Sequence, residues 1–170
     1  MKVALALCCF ALVGCATELP RPYQVKNPGP LPIALDKNFE FRTTKEYFLD
    51  PAAPRTSNQN DASVTFERYY RLYGAITALD ARDRFGTYFT FFWRAPRDSD
   101  VKVRLEYRQE KLHAFVQARE AHYPRAKGHN RTEFAVIGDD YADDGRVTAW
   151  QALLISNGRV VAVTRSYLWK

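Results

Sequence analysis

The densest set of chemically capable side chains is acidic. Asp139, Asp140, Asp143 and Asp144 fall within six residues, between Gly138 and Gly145. Oxygen ligands packed this closely are what Ca²⁺ takes. Read as a calcium loop from Asp140, the third position is Ala142 and the twelfth is Gln151, where that loop needs an oxygen ligand and a bidentate Glu. The flanks also carry strand-like patterns. A solvated turn is therefore expected, with calcium as the weaker alternative, and neither a metal nor a cofactor is assigned. The three histidines offer no better site. His113 and His122 lie nine apart on an expected strand, an odd spacing that puts them on opposite faces, and His129 falls in a turn. There is no HExxH, no GxSxG elbow and no glycine-rich phosphate loop.

The other chemical surplus is aromatic: ten Tyr, eleven Phe and three Trp. In Phe85–Arg94, odd positions carry Phe85, Phe89, Phe91 and Trp93, and even positions carry Tyr88 and Phe92. A sandwich buries one face of each sheet, so the second face must be covered or must bind something. Residues 33–50, with Phe39, Phe41, Tyr47 and Phe48, are the expected cover. The alternative is an exposed platform for a glycan or a protein, with Tyr88, Phe92, Trp150 and Arg165 as its binding residues.

Cysteine chemistry is confined to the amino terminus. Met-Lys precedes an unbroken apolar run, Val3–Val13, and then Gly14-Cys15. Eleven helical residues span about 16 Å, roughly half a bilayer core, so this is a leader rather than a span. Leu12-Val13-Gly14-Cys15 resembles the bacterial lipobox, whose pattern is Leu, a small or branched residue, Gly or Ala, and then Cys. Cys8 and Cys9 do not fit, because Leu7 and Cys8 precede them. The resemblance implies cleavage before Cys15, a diacylglycerol thioether on its sulfur and acylation of the new amino group. It also implies export and, because Ala16 rather than Asp follows the cysteine, an outer-membrane anchor facing the periplasm. Residues 1–14 are then the signal peptide, and no second cysteine is left for a disulfide in the mature chain. A thiolate nucleophile and a Cys-held metal are excluded with it.

The elements behind the anchor read as follows. Seven of the nine prolines lie between Pro20 and Pro54, and residues 15–62 read as a lipidated, Pro-rich tether, partly ordered near 33–50. Residues 63–170 read as the folded domain. Val101–Arg108 alternates apolar and charged side chains without a fault, which predicts a strand with one buried and one wet face. Asn157-Gly158 predicts a two-residue hairpin turn. It would place Leu154 opposite Val161 and Trp150 opposite Arg165, with Trp150 on the core face and the guanidinium over its ring. Further strands are expected near 64–78, 85–95, 112–122 and 132–138. The first is ambiguous, since Phe66, Tyr69, Tyr70 and Tyr73 also recur at helical spacing; Tyr-rich composition and Gly74 favour a strand. The expected fold is all-β, an antiparallel β-sandwich of about seven strands. It resembles immunoglobulin and fibronectin-type domains in architecture alone, since it lacks their cysteine pair and Tyr141 precedes its strand rather than opening it.

The net charge of +6, of which Lys2 leaves with the leader, suits either simple solubility or the anionic surfaces of the envelope. Nucleic acid is excluded as a partner for an exported chain. The expected function is non-enzymatic: a membrane-anchored envelope domain that binds or scaffolds an envelope protein or glycan. The alternative is an envelope hydrolase or carbohydrate-active enzyme.

Overall fold

The structure is a computed structural model that describes residues 19–50 and 62–170. It is antiparallel and all-β in its sheet, as expected, and sandwich-like. Strands β1 (Tyr23–Val25), β2 (Glu40–Leu49), β3 (Gly86–Gln109), β4 (Gln117–Ile137), β5 (Val147–Ser156) and β6 (Arg159–Arg165) form one six-stranded sheet. Helices α1 (Ala62–Leu72), α2 (Ala78–Arg82) and α3 (Asp139–Asp144) lie outside it. Two of the six strands come from residues upstream of 63, so the domain takes in part of the segment expected to be a tether.

The architecture follows from β3. Phe89, Phe91, Trp93 and Ala95 are all buried, and so are Val101, Val103, Leu105 and Tyr107. Alternate residues share one face of a strand. The same face therefore lines the core along the whole of β3, and β3 bends to bring its two halves around that core. The bend sits between Ala95 and Val101, where the β3–β4 register shifts twice. Such bulges re-aim and bend a strand. The N-terminal half pairs with β2 on one edge and the C-terminal half with β5 on that same edge, while β4 follows both halves on the other. The two layers of the sandwich are thus halves of a single folded sheet. Strands expected separately at 85–95 and 101–108 are one strand, and those expected at 112–122 and 132–138 merge into β4.

Between the layers, Phe91 meets Trp150, Phe134 and Phe41 edge to face at centroid distances of 5.5, 6.1 and 5.8 Å. Phe89 meets Trp150 at 5.6 Å. The Trp93 indole donates to Thr132 Oγ1 at 2.8 Å, and Thr132 in turn donates to the Tyr123 hydroxyl at 2.8 Å. The Trp150 face of the terminal hairpin is the core face, as expected, with Ala152 and Leu154 fully buried.

Three local expectations are corrected. Residues 64–78 are not a strand: α1 covers Ala62–Leu72, so the helical spacing of Phe66, Tyr69, Tyr70 and Tyr73 outweighed their β propensity. The hairpin keeps its Asn-Gly turn, with Ser156 opposite Arg159, but a bulge then sets Leu154 opposite Ala162 and Gln151 opposite Arg165. Arg165 therefore does not oppose Trp150. The acidic run is a short helix, α3, rather than a plain turn.

Phe91→Ala removes the ring on which four aromatic contacts converge. It should lower unfolding stability by about 3–5 kcal/mol, read from urea denaturation. A loss under about 1 kcal/mol, smaller than a buried aromatic truncation ordinarily costs, would mean that the two half-sheets do not pack through it.

Candidate functional site

The site begins with the even positions of β3 beyond its bend. Lys102, Arg104, Glu106 and Arg108 occupy the outer face, which alternation alone predicts to be wet. Instead, the Arg104 and Glu120 side chains keep only 10% and 5% of their exposure. Arg104 holds Glu120 Oε1 at 2.7 Å through Nε and Nη2. The Tyr23 hydroxyl, carried in by β1, donates to Glu120 Oε2 at 2.7 Å. Arg104 Nη1 also reaches Glu106 at 3.5 Å and the Gly29 carbonyl at 3.4 Å. Gln151 on β5 completes the row by donating to Glu106 at 2.6 Å. Burial, followed by the bond to Glu120 and that carboxylate's charge, pushes the Tyr23 phenol up to about 12.

This charged row floors one side of a groove. Residues 29–41 arch over the outer face of β5 and β6, where Leu31 packs on Leu153, Ile155 and Val160. The arch runs parallel to β6: Val160 N–H donates to the Pro32 carbonyl, Ala34 N–H to Val160 and Asp36 N–H to Val161, each at 2.9 Å. The hairpin bulge at Val161 is where this pairing stops. Asp36 then accepts from both the backbone and the side chain of Asn38, and the turn sends the chain into β2. Between the arch, β2 and β6 lies an open groove of about 1090 Å³. Its apolar lining includes Ile33, Leu35, Phe41, Leu153 and Val163, and its polar lining includes Arg104, Glu106, Gln151 and Arg165. Among the described residues, strand β2 pairs only with β3, yet it approaches β6. Beyond Val161, β6 pairs among them only with β5. The edge of β6 and the start of β2, at Glu40 and Phe41, thus face the same groove.

The groove's carboxylates are occupied. Glu106 is held by Gln151 and Arg104, Asp36 by Asn38, and Glu40 by Arg42 at 3.0 Å. None of these described carboxylates is poised as a free acid–base pair.

The residues singled out in the sequence lie apart. Tyr88 is buried on the far layer, where its hydroxyl donates to the Arg84 carbonyl at 2.7 Å and Arg71 lies over its ring at 4.4 Å. Phe92 is half-buried on that same face, with Lys45 Nζ 5.8 Å from its ring centre. Trp150 is buried in the core, and its indole donates to Glu46 at 2.9 Å. Arg165 alone of the four reaches the groove. The cover over Tyr88 is α1 rather than residues 33–50, whose second half extends the sheet as β2. Arg108, not Arg165, stacks on a tryptophan, Trp169, at 4.7 Å.

The acidic helix α3 serves as a plug. Gln109 donates to the Asp140 and Gly145 carbonyls, and Lys111 to those of Ala142 and Asp143. Asp140 pairs with Arg119, and Asp144 accepts from Gln117 at 3.2 Å. Tyr141 donates to Asp50 at 2.6 Å; burial first, then that bond, lifts its phenol to about 12. The histidines are separate. His113 ends a 3-10 turn rather than lying on a strand, His122 meets Asp100 at 2.5 Å, and His129 stands opposite Arg94. Among the described residues no group of three His, Cys, Asp or Glu is placed to share a metal ion. Cys15 lies outside the described residues.

Sequence reasoning missed Tyr23, Arg104, Glu106, Glu120 and Gln151 as a set. Their charges were legible, but only the β1–β4–β3–β5 pairing brings them together. No family model, curated protein or solved structure matches the chain.

Arg104→Met leaves the buried Glu120 with only the longer, half-exposed pair to Lys102 at 3.9 Å and should destabilise the domain by about 3 kcal/mol. Pairing it with Glu120→Leu should restore most of that stability, and an equally unstable double variant would refute the ion-pair account. Tyr23 and Tyr141 hold their protons more tightly folded than at the ordinary value of 10.0. Their contribution is therefore complete below pH 10 and lost as pH rises towards 12. Tyr23→Phe should flatten the fall of melting temperature across that window, and an unchanged slope would contradict it.

Proposed function

We propose that this chain is a lipid-anchored envelope protein whose domain binds, without catalysis, an extended segment of an envelope protein laid as a strand into the groove between β2 and β6. The observation that carries the reading is the edge of β6 and the start of β2 facing one apolar groove. A peptide added along the β6 edge beyond Val161 gains main-chain hydrogen bonds from it, and its alternate side chains meet the apolar lining and the start of β2. The 29–36 arch already uses this mode on β6 as far as Val161, so an incoming strand would continue an existing pairing. The satisfied carboxylates favour binding over the hydrolase alternative.

The anchor rests on Leu12-Val13-Gly14-Cys15. Two or three acyl chains there make attachment effectively permanent, and Ala16 directs it to the outer membrane. No helix among the described residues is long and apolar enough to cross a membrane. An anchor of that kind would set the groove at the periplasmic side of the outer membrane, within reach of the tether.

Mass spectrometry of membrane-extracted protein should find Cys15 as an acylated first residue; an unmodified terminus beyond residue 15 would remove the anchor. Photo-cross-linking groups at Ile33 and Val163 should both capture one and the same protein, while one at Arg125 should not. Val163→Arg, which fills the groove with charge, should cut capture from Ile33 at least ~10-fold, the loss of about 1.4 kcal/mol of binding. Adducts to glycan alone, or capture indifferent to Val163→Arg, would overturn the strand reading.

A further inference from the structure

Helix α1 is amphipathic in the wrong sense for a helix packed on its own domain. A surface helix ordinarily turns its apolar stripe inward and its charges outward. Here the inward side carries Glu67 and Arg71, which pair at 3.3 Å, with the guanidinium over Tyr88. The outward side carries Phe66, Tyr69 and Tyr70, followed by Tyr73 one residue past the helix end; they are 66%, 74%, 57% and 86% exposed. The stripe continues past the helix through Ile76 and Leu79, also exposed. Arg84 donates to the carbonyls of Arg71 and Tyr73 at the helix end, and Thr77 with Asp80 forms a capping box on α2.

We propose that this face is a dimer interface, and that its occupant is α1 of a second copy of the chain. Spacing, area and charge point there. Side chains at i, i+3, i+4 and i+7 form the seam by which one helix packs on another. Among the described residues α1 is the longest helix, and α2 and α3 are too short to supply such a seam. An isologous contact needs only the surface already present. Four aromatic side chains of roughly 150–250 Å² each, exposed to this degree, present with Ile76 and Leu79 on the order of 800 Å². One partner contributes that much to a stable interface, and the value exceeds the largest apolar patch of an ordinary monomer.

The charges around the stripe separate a second copy from a lipid surface. Residues 62–84 carry Arg68, Arg71, Arg82 and Arg84 against Glu67, Asp80 and Asp83. Helices that lie on anionic membranes are rich in Lys and Arg on the polar face. With Glu67 and Arg71 paired inward and Arg84 held at the helix end, Arg68 and Arg82 are balanced by Asp80 and Asp83. A balanced rim gains little from an anionic bilayer, but it can meet both signs on a copy of itself. Tyrosine and arginine are also the residues that dominate protein interfaces.

The test is cross-linking in the membranes of cells producing the full chain. Tyr70→Cys lies in mid-stripe, where an isologous contact sets it near its own copy. Mild oxidation should give a band at twice the monomer mass, absent from the parent chain. Adding Tyr73→Glu should reduce that band at least ~5-fold while the domain stays folded by circular dichroism, because position 73 is exposed. No band, or a band insensitive to Tyr73→Glu, overturns the proposal. So does a monomer in which phosphatidylglycerol-containing vesicles shield the introduced thiol from an impermeant maleimide, a result that assigns the face to a bilayer. Val163→Arg should leave the band intact, which separates this interface from the groove.

Discussion

Strand β3 has to bury one face over almost its whole length, and its side chains leave it only one way to do so. Phe89, Phe91, Trp93 and Ala95 share a parity with Val101, Val103, Leu105 and Tyr107, and all are buried. A flat strand of 24 residues would spread that face across a sheet with nothing opposite. Bending at residues 95–101 lets the strand supply both layers of its own core. The remaining strands follow. Because the bend splits one edge of β3 between β2 and β5, those two strands end up on different layers. Strand β6, added to β5, then comes towards the free edge of β2 without reaching its pairing distance, and the groove is the gap that remains.

A second constraint fixes what lines that gap. The outer face of the C-terminal half of β3 is charged; β1 pairs with β4 beside it, and the chain near Gly29 reaches over Arg104. Burying Arg104 and Glu120 separately would cost several kcal/mol for each ion, and their pairing offsets this only because the remaining valences are met. Tyr23 and the Gly29 carbonyl meet them. β1 is only three residues long, too short to hold its register through ladder bonds alone. The Tyr23–Glu120–Arg104 chain sets that register, and with it the point from which the arch departs. The charged cluster is therefore best understood as the clasp that seats the amino-terminal segment.

Alternation made the buried face of Val101–Arg108 legible, and Asn157-Gly158 revealed the hairpin, because both are local signals. What failed was non-local. The bulge that moves Leu154 from Val161 to Ala162 arises where the arch bonds to Val160 and Val161, a contact between residues more than a hundred apart in sequence. Residues 96–100 read as a break between two strands, because Pro96 and Asp98 suit a bend inside a long strand as well as a turn between two. The charged face of β3 read as wet because burial of Arg104 depends on a partner, Glu120, in another strand. Helix α1 was misread for a different reason. Its spacing was visible, but Tyr-rich composition and Gly74 favoured a strand, and the helix that formed breaks the burial rule by presenting its aromatics to solvent.

The same rule explains why α1 and the groove are distinct kinds of surface. An unpaired strand edge lacks hydrogen-bond partners, and water meets that need tolerably, so the β2 and β6 edges are stable without a partner. An exposed aromatic seam lacks apolar contact, which water cannot supply. On α1 the inward positions that would ordinarily carry those rings hold Glu67 and Arg71, and the guanidinium is already committed to Tyr88. Rotating the helix to bury its aromatics would break that ion pair and lift the guanidinium off the Tyr88 ring. The local electrostatics thus hold the stripe outward, and its apolar area is left for a surface outside the protomer to cover.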